Sequence, residues 1–236
     1  MKIAENVQVL NIPRQAGETT TYLSIVLTWD DDNLVLIDAG LPKMGTAIAD
    51  AIENAGFNVK NLTHIIITHQ DFDHIGSVNE LKAMAPDAKV LAHKDEAQYM
   101  DGRRLQIRLQ QAQKRMGDNP TDQQKVEFEQ QKQNMQSFLF KTDQELAGGE
   151  ILPICGGIEI IHTPGHMPGH IVLYLQQSKV FVCGDAENVR DGKLIGPNPD
   201  YTIDMELARQ SLEKLKKYSL TGIVAYHGGY ISADSY

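Results

Sequence analysis

Four side chains able to bind a metal fall within six positions of the stretch Thr68-His69-Gln70-Asp71-Phe72-Asp73-His74-Ile75-Gly76. They are His69, Asp71, Asp73 and His74. The apolar run Ile65-Ile66-Ile67 just before them reads as a buried strand. A carboxylate or imidazole at the end of such a strand loses hydration and must find a partner. A divalent cation serves both, because it takes neutral imidazole nitrogens and carboxylate oxygens together. In an extended backbone His69 and Asp71 point the same way. Asp73 and His74 are adjacent and diverge unless the chain turns. That arrangement suits two metals better than one. The plain alternative is a loop of solvated charges, and the density of ligand types weighs against it.

The chain has eight histidines. His69, His74, His166 and His227 lie just past expected strand ends, beside Gly or Asp, and so does Asp185. In a layered α/β protein the strand ends gather at one rim, and loops there carry chemistry. His170 looks like His166 locally, and spacing does not choose between them. Asp38, in Leu36-Ile37-Asp38-Ala39-Gly40, reads as a turn carboxylate or as a group behind the ligands.

The elements that must position these residues alternate. Residues 7–12 alternate like a strand that Pro13 interrupts. Residues 21–29 and 33–38 are β-type runs joined by the turn Asp30-Asp31-Asp32-Asn33. Residues 42–55 read as a helix, with Ile48, Ala51, Ile52 and Ala55 on one face and Gly56 as its stop. Residues 64–68 and 89–93 are strands. Between them Ser77 and Glu80 have capping-box spacing ahead of a short helix ended by Pro86. Strands follow at 157–163, 171–175, 180–183 and 222–226, with a helix over 204–218 capped by Asp204. Alternation of this kind predicts an α/β fold in one domain spanning 1–236.

Residues 101–147 break the pattern. They are rich in Gln and carry no strand signal. Leu105, Leu109, Ala112 and Met116 share one helical face, and Phe128, Met135, Phe138 and Leu139 another. Gly117-Asp118-Asn119-Pro120 separates them, and Thr121 with Gln124 offers a second capping box. The spacing predicts an inserted helical hairpin that packs on the parent domain, covers the site as a lid, or makes a dimer contact. Arg103, Arg104, Arg108, Tyr99 and Tyr201 are candidates for substrate contact, and nothing in the sequence ranks them.

Composition narrows the function. A formal net charge of −9 argues against a nucleic-acid surface, which needs clustered Lys and Arg. No apolar run approaches the roughly 20 residues that span a bilayer, and the N-terminus lacks a signal-peptide core. The two cysteines, Cys155 and Cys183, lack metal-motif spacing. A cytoplasmic protein with reduced thiols is expected, with a disulfide between them left open.

Taken in order, His69-x-Asp71-x-Asp73-His74, Thr163-Pro164-Gly165-His166, Gly184-Asp185 and His227-Gly228 resemble the metallo-β-lactamase fold superfamily. The resemblance runs from Leu36-Ile37-Asp38-Ala39-Gly40 to His227. It implies an αββα sandwich with a dinuclear metal centre at one edge. It further implies that His69, Asp71 and His166 hold one ion, that Asp73, His74 and His227 hold the other, and that Asp185 bridges them. By the same match His170 stands behind His166, and Asp38 steadies the ligand loop. His64, His93 and His162 match no ligand position. Asp71 departs from the pattern, since the family usually has His there. Two divalent ions are implied, zinc by default. Asp71 is a harder ligand that adds negative charge, which favours iron or manganese. The expected activity is hydrolysis of a small ester, thioester or lactone by a metal-bridging hydroxide, with Asp73 passing a proton to the leaving group. The alternatives are an iron-dependent oxidoreductase of the same fold, acting on thiols or persulfides, and a non-enzymatic ligand-binding member. A small-molecule substrate is expected, with no nucleic-acid or membrane partner, and a homodimer contact would use the insert.

Overall fold

The computed structural model describes residues 1–233. Its first sheet takes the strands in chain order: β1 (Lys2–Ala4), β2 (Val7–Ala16), β3 (Thr19–Trp29), β4 (Leu34–Ile37), β5 (His64–Ile67), β6 (Lys89–His93) and β7 (Gln144–Leu146). Strands β1 to β4 pair antiparallel, and β4 to β7 pair parallel. The remaining strands are β8 (Ile151–Leu152), β9 (Ile158–His162), β10 (Ile171–Leu175), β11 (Val180–Val182), β12 (Asn188–Arg190), β13 (Lys193–Gly196), β14 (Gly222–Ala225) and β15 (Gly229–Ser232). The second sheet has the order β15-β14-β11-β10-β9-β8, and β12 and β13 form a separate hairpin. The helices are α1 (Gly45–Asn54), α2 (Phe72–Ile75), α3 (Val78–Met84), α4 (Lys94–Met100), α5 (Ile107–Met116), α6 (Asp122–Gln136) and α7 (Met205–Glu213). None of the described helices is long and apolar enough to cross a membrane.

Side-chain alternation builds the layers. Ile66, Val35 and Ile37 face the second sheet and pack with Ile158, Ile160, Leu173 and Val182. Their neighbours Ile65, Ile67 and Leu36 face outward and pack under Ile48, Ile52, Val78 and Leu81 of α1 and α3. On the far side Phe181, Val172 and Ile223 meet Leu212 and Leu215. Helices therefore cover both outer faces of two packed sheets, which is the expected αββα sandwich.

Several local expectations change. Strand β2 runs through Pro13, which pairs with Tyr22. Beyond its first residues β2 has no neighbour on its other side, so the missing N–H costs no ladder bond. Ser77 and Glu80 do not cap α3. Their side chains reach back to α1 instead. The Glu80 carboxylate accepts from Lys43 N (2.8 Å) and Gly45 N (3.1 Å), and Ser77 Oγ accepts from Met44 N (2.9 Å). The insert forms as α5 and α6, with the capping box at Thr121 and Gln124 in place. It is shorter than its apolar pattern suggests. Leu105 precedes α5, Phe138 and Leu139 follow α6, and residues 144–146 join the first sheet as edge strand β7. The hairpin β12–β13 and strand β15 had no clear signal in the sequence. Cys155 and Cys183 are buried free thiols.

Replacing Glu80 with Ala removes the acceptor for two N–H groups at the start of α1. The expected cost is about 1 kcal/mol, the scale of a lost helix cap. It should appear as a lower urea midpoint with an unchanged slope.

Candidate metal centre

The parallel strands β4, β5, β11 and β14 end at one edge of the sandwich. Each delivers a polar residue there: Asp38 after β4, the His69 to His74 loop after β5, Asp185 after β11 and His227 after β14. The loop after β9 adds His166 and His170. At this edge three groups form, and within each the possible ligand atoms lie within 4.8 Å of one another. They are His69, Asp71 and His166; His69, His74 and Asp185; and Asp73, His74 and His227.

Asp185 stands between the groups. Its Oδ2 is 3.6 Å from His166 Nε2, and its Oδ1 is 3.3 Å from His74 Nε2 and 3.5 Å from His227 Nε2. Asp71 Oδ2 is 3.2 Å from His166 Nε2 and 3.6 Å from His69 Nε2. Asp73 Oδ2 is 3.3 Å from His227 Nε2. Yet His69 Nε2, His74 Nε2 and Asp185 Oδ1 are buried with no hydrogen-bond partner. Three orphaned polar atoms in one spot cost several kcal/mol if nothing meets them. Imidazole nitrogens and carboxylate oxygens converging on one spot fit a divalent cation.

The groups behind these atoms fix their direction. Asp38, in the left-handed region at φ 67°, accepts from Thr68 N (2.9 Å) and faces His74 Nδ1 at 2.9 Å. Nδ1–H of His74 donating to Asp38 would turn the opposite ring atom, Nε2, toward the site. Thr68 Oγ1 lies 3.0 Å from His69 Nδ1 and orients that ring in the same way. His170 Nε2 accepts the backbone N–H of Asp185 at 3.1 Å, and its Nδ1 faces Thr163 Oγ1. It therefore positions Asp185 and contributes no ring nitrogen to the three groups, which separates it from His166 as spacing alone did not. Gly184 is required here: a Cβ would lie 2.8 Å from His170 Nε2, and its φ is +50°. The Tyr226 hydroxyl donates to Asp73 O, and the ring packs on His74 with centroids 3.8 Å apart.

Burial and neighbouring charges act against each other on these groups. Burial pulls the His74 imidazole down, but Asp38, Asp185 and Asp73 outweigh it and hold it well above its usual value. Burial raises the Asp185 carboxyl, and the surrounding His74, His227 and His166 outweigh that and hold it well below. Burial, then His69 and His166, push His170 well down, as befits a neutral ring that accepts a hydrogen bond.

Two further residues join the site, one absent from the sequence reading and one named there without rank. The first is Glu96 on α4, which is fully buried. Its Oε2 accepts from Gln70 N (2.9 Å) and Gln70 Nε2 (3.0 Å), and its Oε1 from Gly169 N (2.7 Å). One carboxylate thus staples the loop of His69 to the loop of His166. The second is Arg108 on α5, one of five unranked candidates. Its Nε donates to Asp71 Oδ1 at 2.8 Å and its Nη2 to Asp71 Oδ2. Neither residue falls in a local pattern, since each acts across the fold. Of the other candidates, Tyr201 lies under the Arg108 guanidinium, 5.7 Å from its ring centroid. Arg103 pairs with Asp101 and Glu145 away from the site. His93, Asp95 and His162 form a fourth group of ligand types. There the rings stack at 4.1 Å and 14°, so their in-plane lone pairs do not converge. His93 Nδ1 accepts from Asp95 N, and the Nε2 atoms of His93 and His162 face Ala147 O and Pro168 O.

The family model described as the metallo-beta-lactamase superfamily matches residues 19–227. The chain belongs to the metallo-β-lactamase superfamily. Members of this superfamily generally bind divalent metal, which agrees with the orphaned donor atoms. Hydroxyacylglutathione hydrolase GloC of Haemophilus influenzae is 30% identical over 211 residues, 86% of this chain and 84% of its own. The probable metallo-hydrolase YflN of Bacillus subtilis is 29% identical over 230 residues, 86% of this chain and 78% of its own. The crystal structure of TTHA1429, a metallo-β-lactamase family protein of Thermus thermophilus, superposes with a TM-score of 0.72 at 20% identity. It covers 97% of this chain and 75% of that one, a likeness of fold.

Glu96 carries a pH signature. Burial pushes its carboxyl from the usual 4.5 up to about 7, although the N–H donors favour the charged form. A carboxyl raised on folding contributes stability that is fully present below about pH 4.5 and lost as pH rises through about 7. Glu96→Gln removes this titration. The difference in stability between wild type and variant should therefore change by up to about 3 kcal/mol across that window, read by urea unfolding at several pH values.

Proposed function

We propose that this chain is a dinuclear metallo-hydrolase acting on a small ester, thioester or lactone. That it is a hydrolase of the metallo-β-lactamase fold follows from its superfamily and its relatives. The finer reading rests on one observation: the two oxygens of Asp185 face two different sets of donors, His166 on one side and His74 with His227 on the other. Asp185 would thus contribute an oxygen to each donor set. His69, Asp71 and His166 would hold one ion, and Asp73, His74 and His227 would hold the other. When bound, such ions would supply an activated water and polarise the substrate carbonyl.

The chain's own residues do the rest. The site opens into a cleft of about 810 Å³ lined by Arg14, Tyr22, Arg108, Arg190, Asn198 and Tyr201, room for a small molecule. Asp73 borders the cleft, which supports a role in passing a proton to the leaving group. Asp38, His170 and Glu96 hold the ligands still while charge develops. Helix α5 walls the site, which suits the cover expected of the insert, while α6 has no buried residue and leaves a face for a second copy. The name of GloC, a hydrolase of an acylated thiol, favours acyl chemistry over phosphodiester cleavage. Zinc is the preferred ion. Asp71 argued for iron or manganese partly through its charge, and Arg108 neutralises that charge.

Elemental analysis of protein purified without chelators should find about two divalent ions per chain, in the manner of a closed His and carboxylate set. The zinc-loaded protein should hydrolyse members of an ester, thioester and lactone panel. Asp185→Asn should lower kcat/KM at least about 100-fold, beyond what losing a group behind a ligand costs. A loaded wild type inactive on the whole panel would reject the substrate class.

A further inference from the structure

Asp71 is the place where this chain departs from its family, and the insert reaches the site at that place. The carboxylate is buried. Among the described residues the only permanently cationic side chain paired with it is Arg108. The pairing joins residues 37 apart, and both ends are anchored. Ile107 and Leu109, on either side of Arg108, are buried, and Ile107 N donates to Gln70 Oε1 at 3.0 Å. Gln70 is in turn held by Glu96. The outer face of the guanidinium lies over Tyr201. Its other contacts are Nη1 to Gln111 Oε1 (3.3 Å) and Nη2 near His166 Nε2 (3.5 Å).

We propose that Arg108 is a positioning residue for the metal site, one that clamps the Asp71 carboxylate and cancels its charge, so that the pair presents to an ion the same net charge as a single neutral imidazole. The proposal rests on the metal-site reading above. A carboxylate has about four lone-pair directions, and a bidentate arginine uses two of them. The others stay free for a cation between His69 and His166. The opposite role, an arginine plugging the site, disagrees with His69 Nε2. That atom remains without a partner although a fork of donors lies on the neighbouring Asp71. Arginine suits the task because its charge is permanent and its planar fork fixes both oxygens, whereas a lysine offers one mobile point charge. The insert then does more than cover the site, because one of its residues sets the charge that an ion meets.

A double-mutant cycle on the full chain tests this, read as zinc affinity by chelator competition and as zinc per chain after dialysis. Circular dichroism of each variant monitors folding. Wild type should keep about two zinc ions, and R108M should bind the weaker-held ion about 10- to 100-fold less tightly. In the D71H background the sign should reverse. There Arg108 faces an imidazole and a cation with no carboxylate between them, so D71H/R108M should hold zinc more tightly than D71H. R108K should fall short of wild type. If R108M binds zinc as well as or better than wild type, Arg108 is a bystander or a plug and the proposal fails. If R108M weakens binding equally in both backgrounds, its role is only structural and the proposal also fails. Wild type that holds no zinc after loading would overturn the metal-site reading itself, whereas two zinc ions without sign reversal would overturn this inference alone.

Discussion

Charge without water is the constraint at the edge where the two sheets meet. Asp71 and Asp185 are buried there with His69, His74 and His166, and Asp73 and His227 close the outer side. Removing an ion from water costs several kcal/mol even after the protein relaxes, and only a well-placed opposite charge repays it. The imidazoles and Arg108 supply part of that charge. The unpartnered atoms on His69, His74 and Asp185 show where it is incomplete. The surrounding architecture follows from keeping those atoms in place when their own interactions would let them move.

The sandwich does this with parallel strands. A parallel arrangement puts the same end of β4, β5, β11 and β14 at one rim, so loops far apart in sequence share one small volume. Hydrogen bonds then tie the loops together. Asp38 fastens the end of β4 to Thr68 and His74, His170 fastens the β11 loop to the loop after β9, and Glu96 fastens that loop to Gln70. Across the sheets Ser24 N donates to Tyr226 O at 3.0 Å, which joins β3 to the strand carrying His227. Each tie ends on a metal-type residue or near one, which is how a rigid core passes its precision to a polar site.

The insert bears on both charge and access. Helix α5 packs through Ile107 and Leu109, and its intervening arginine reaches Asp71. A carboxylate in place of the family's usual histidine brings one more negative charge into a buried site, and a distant arginine compensates it. The ion pair spans two pieces of chain and leaves the two side chains together without net charge.

The layered α/β class, the ligand types and the strand ends that bear them were legible in the sequence. The apolar run Ile65-Ile66-Ile67 and the dense run from His69 to His74 are local signals, set by hydrophobic burial and by the cost of burying polar groups. The capping box at Thr121 is local in the same sense and is formed where expected. The spacing of Ser77 and Glu80 looked identical, yet those side chains serve α1, because a cap can be taken by any unsatisfied N–H that packing brings near. The choice between His166 and His170, the staple made by Glu96 and the reach of Arg108 to Asp71 also depend on packing. The sequence by itself determined which chemistry the chain is equipped for, since residue types and periodicity are written along one dimension. Only the tertiary structure decided which groups meet, since contacts between residues 37 or 73 positions apart depend on how sheets and helices stack.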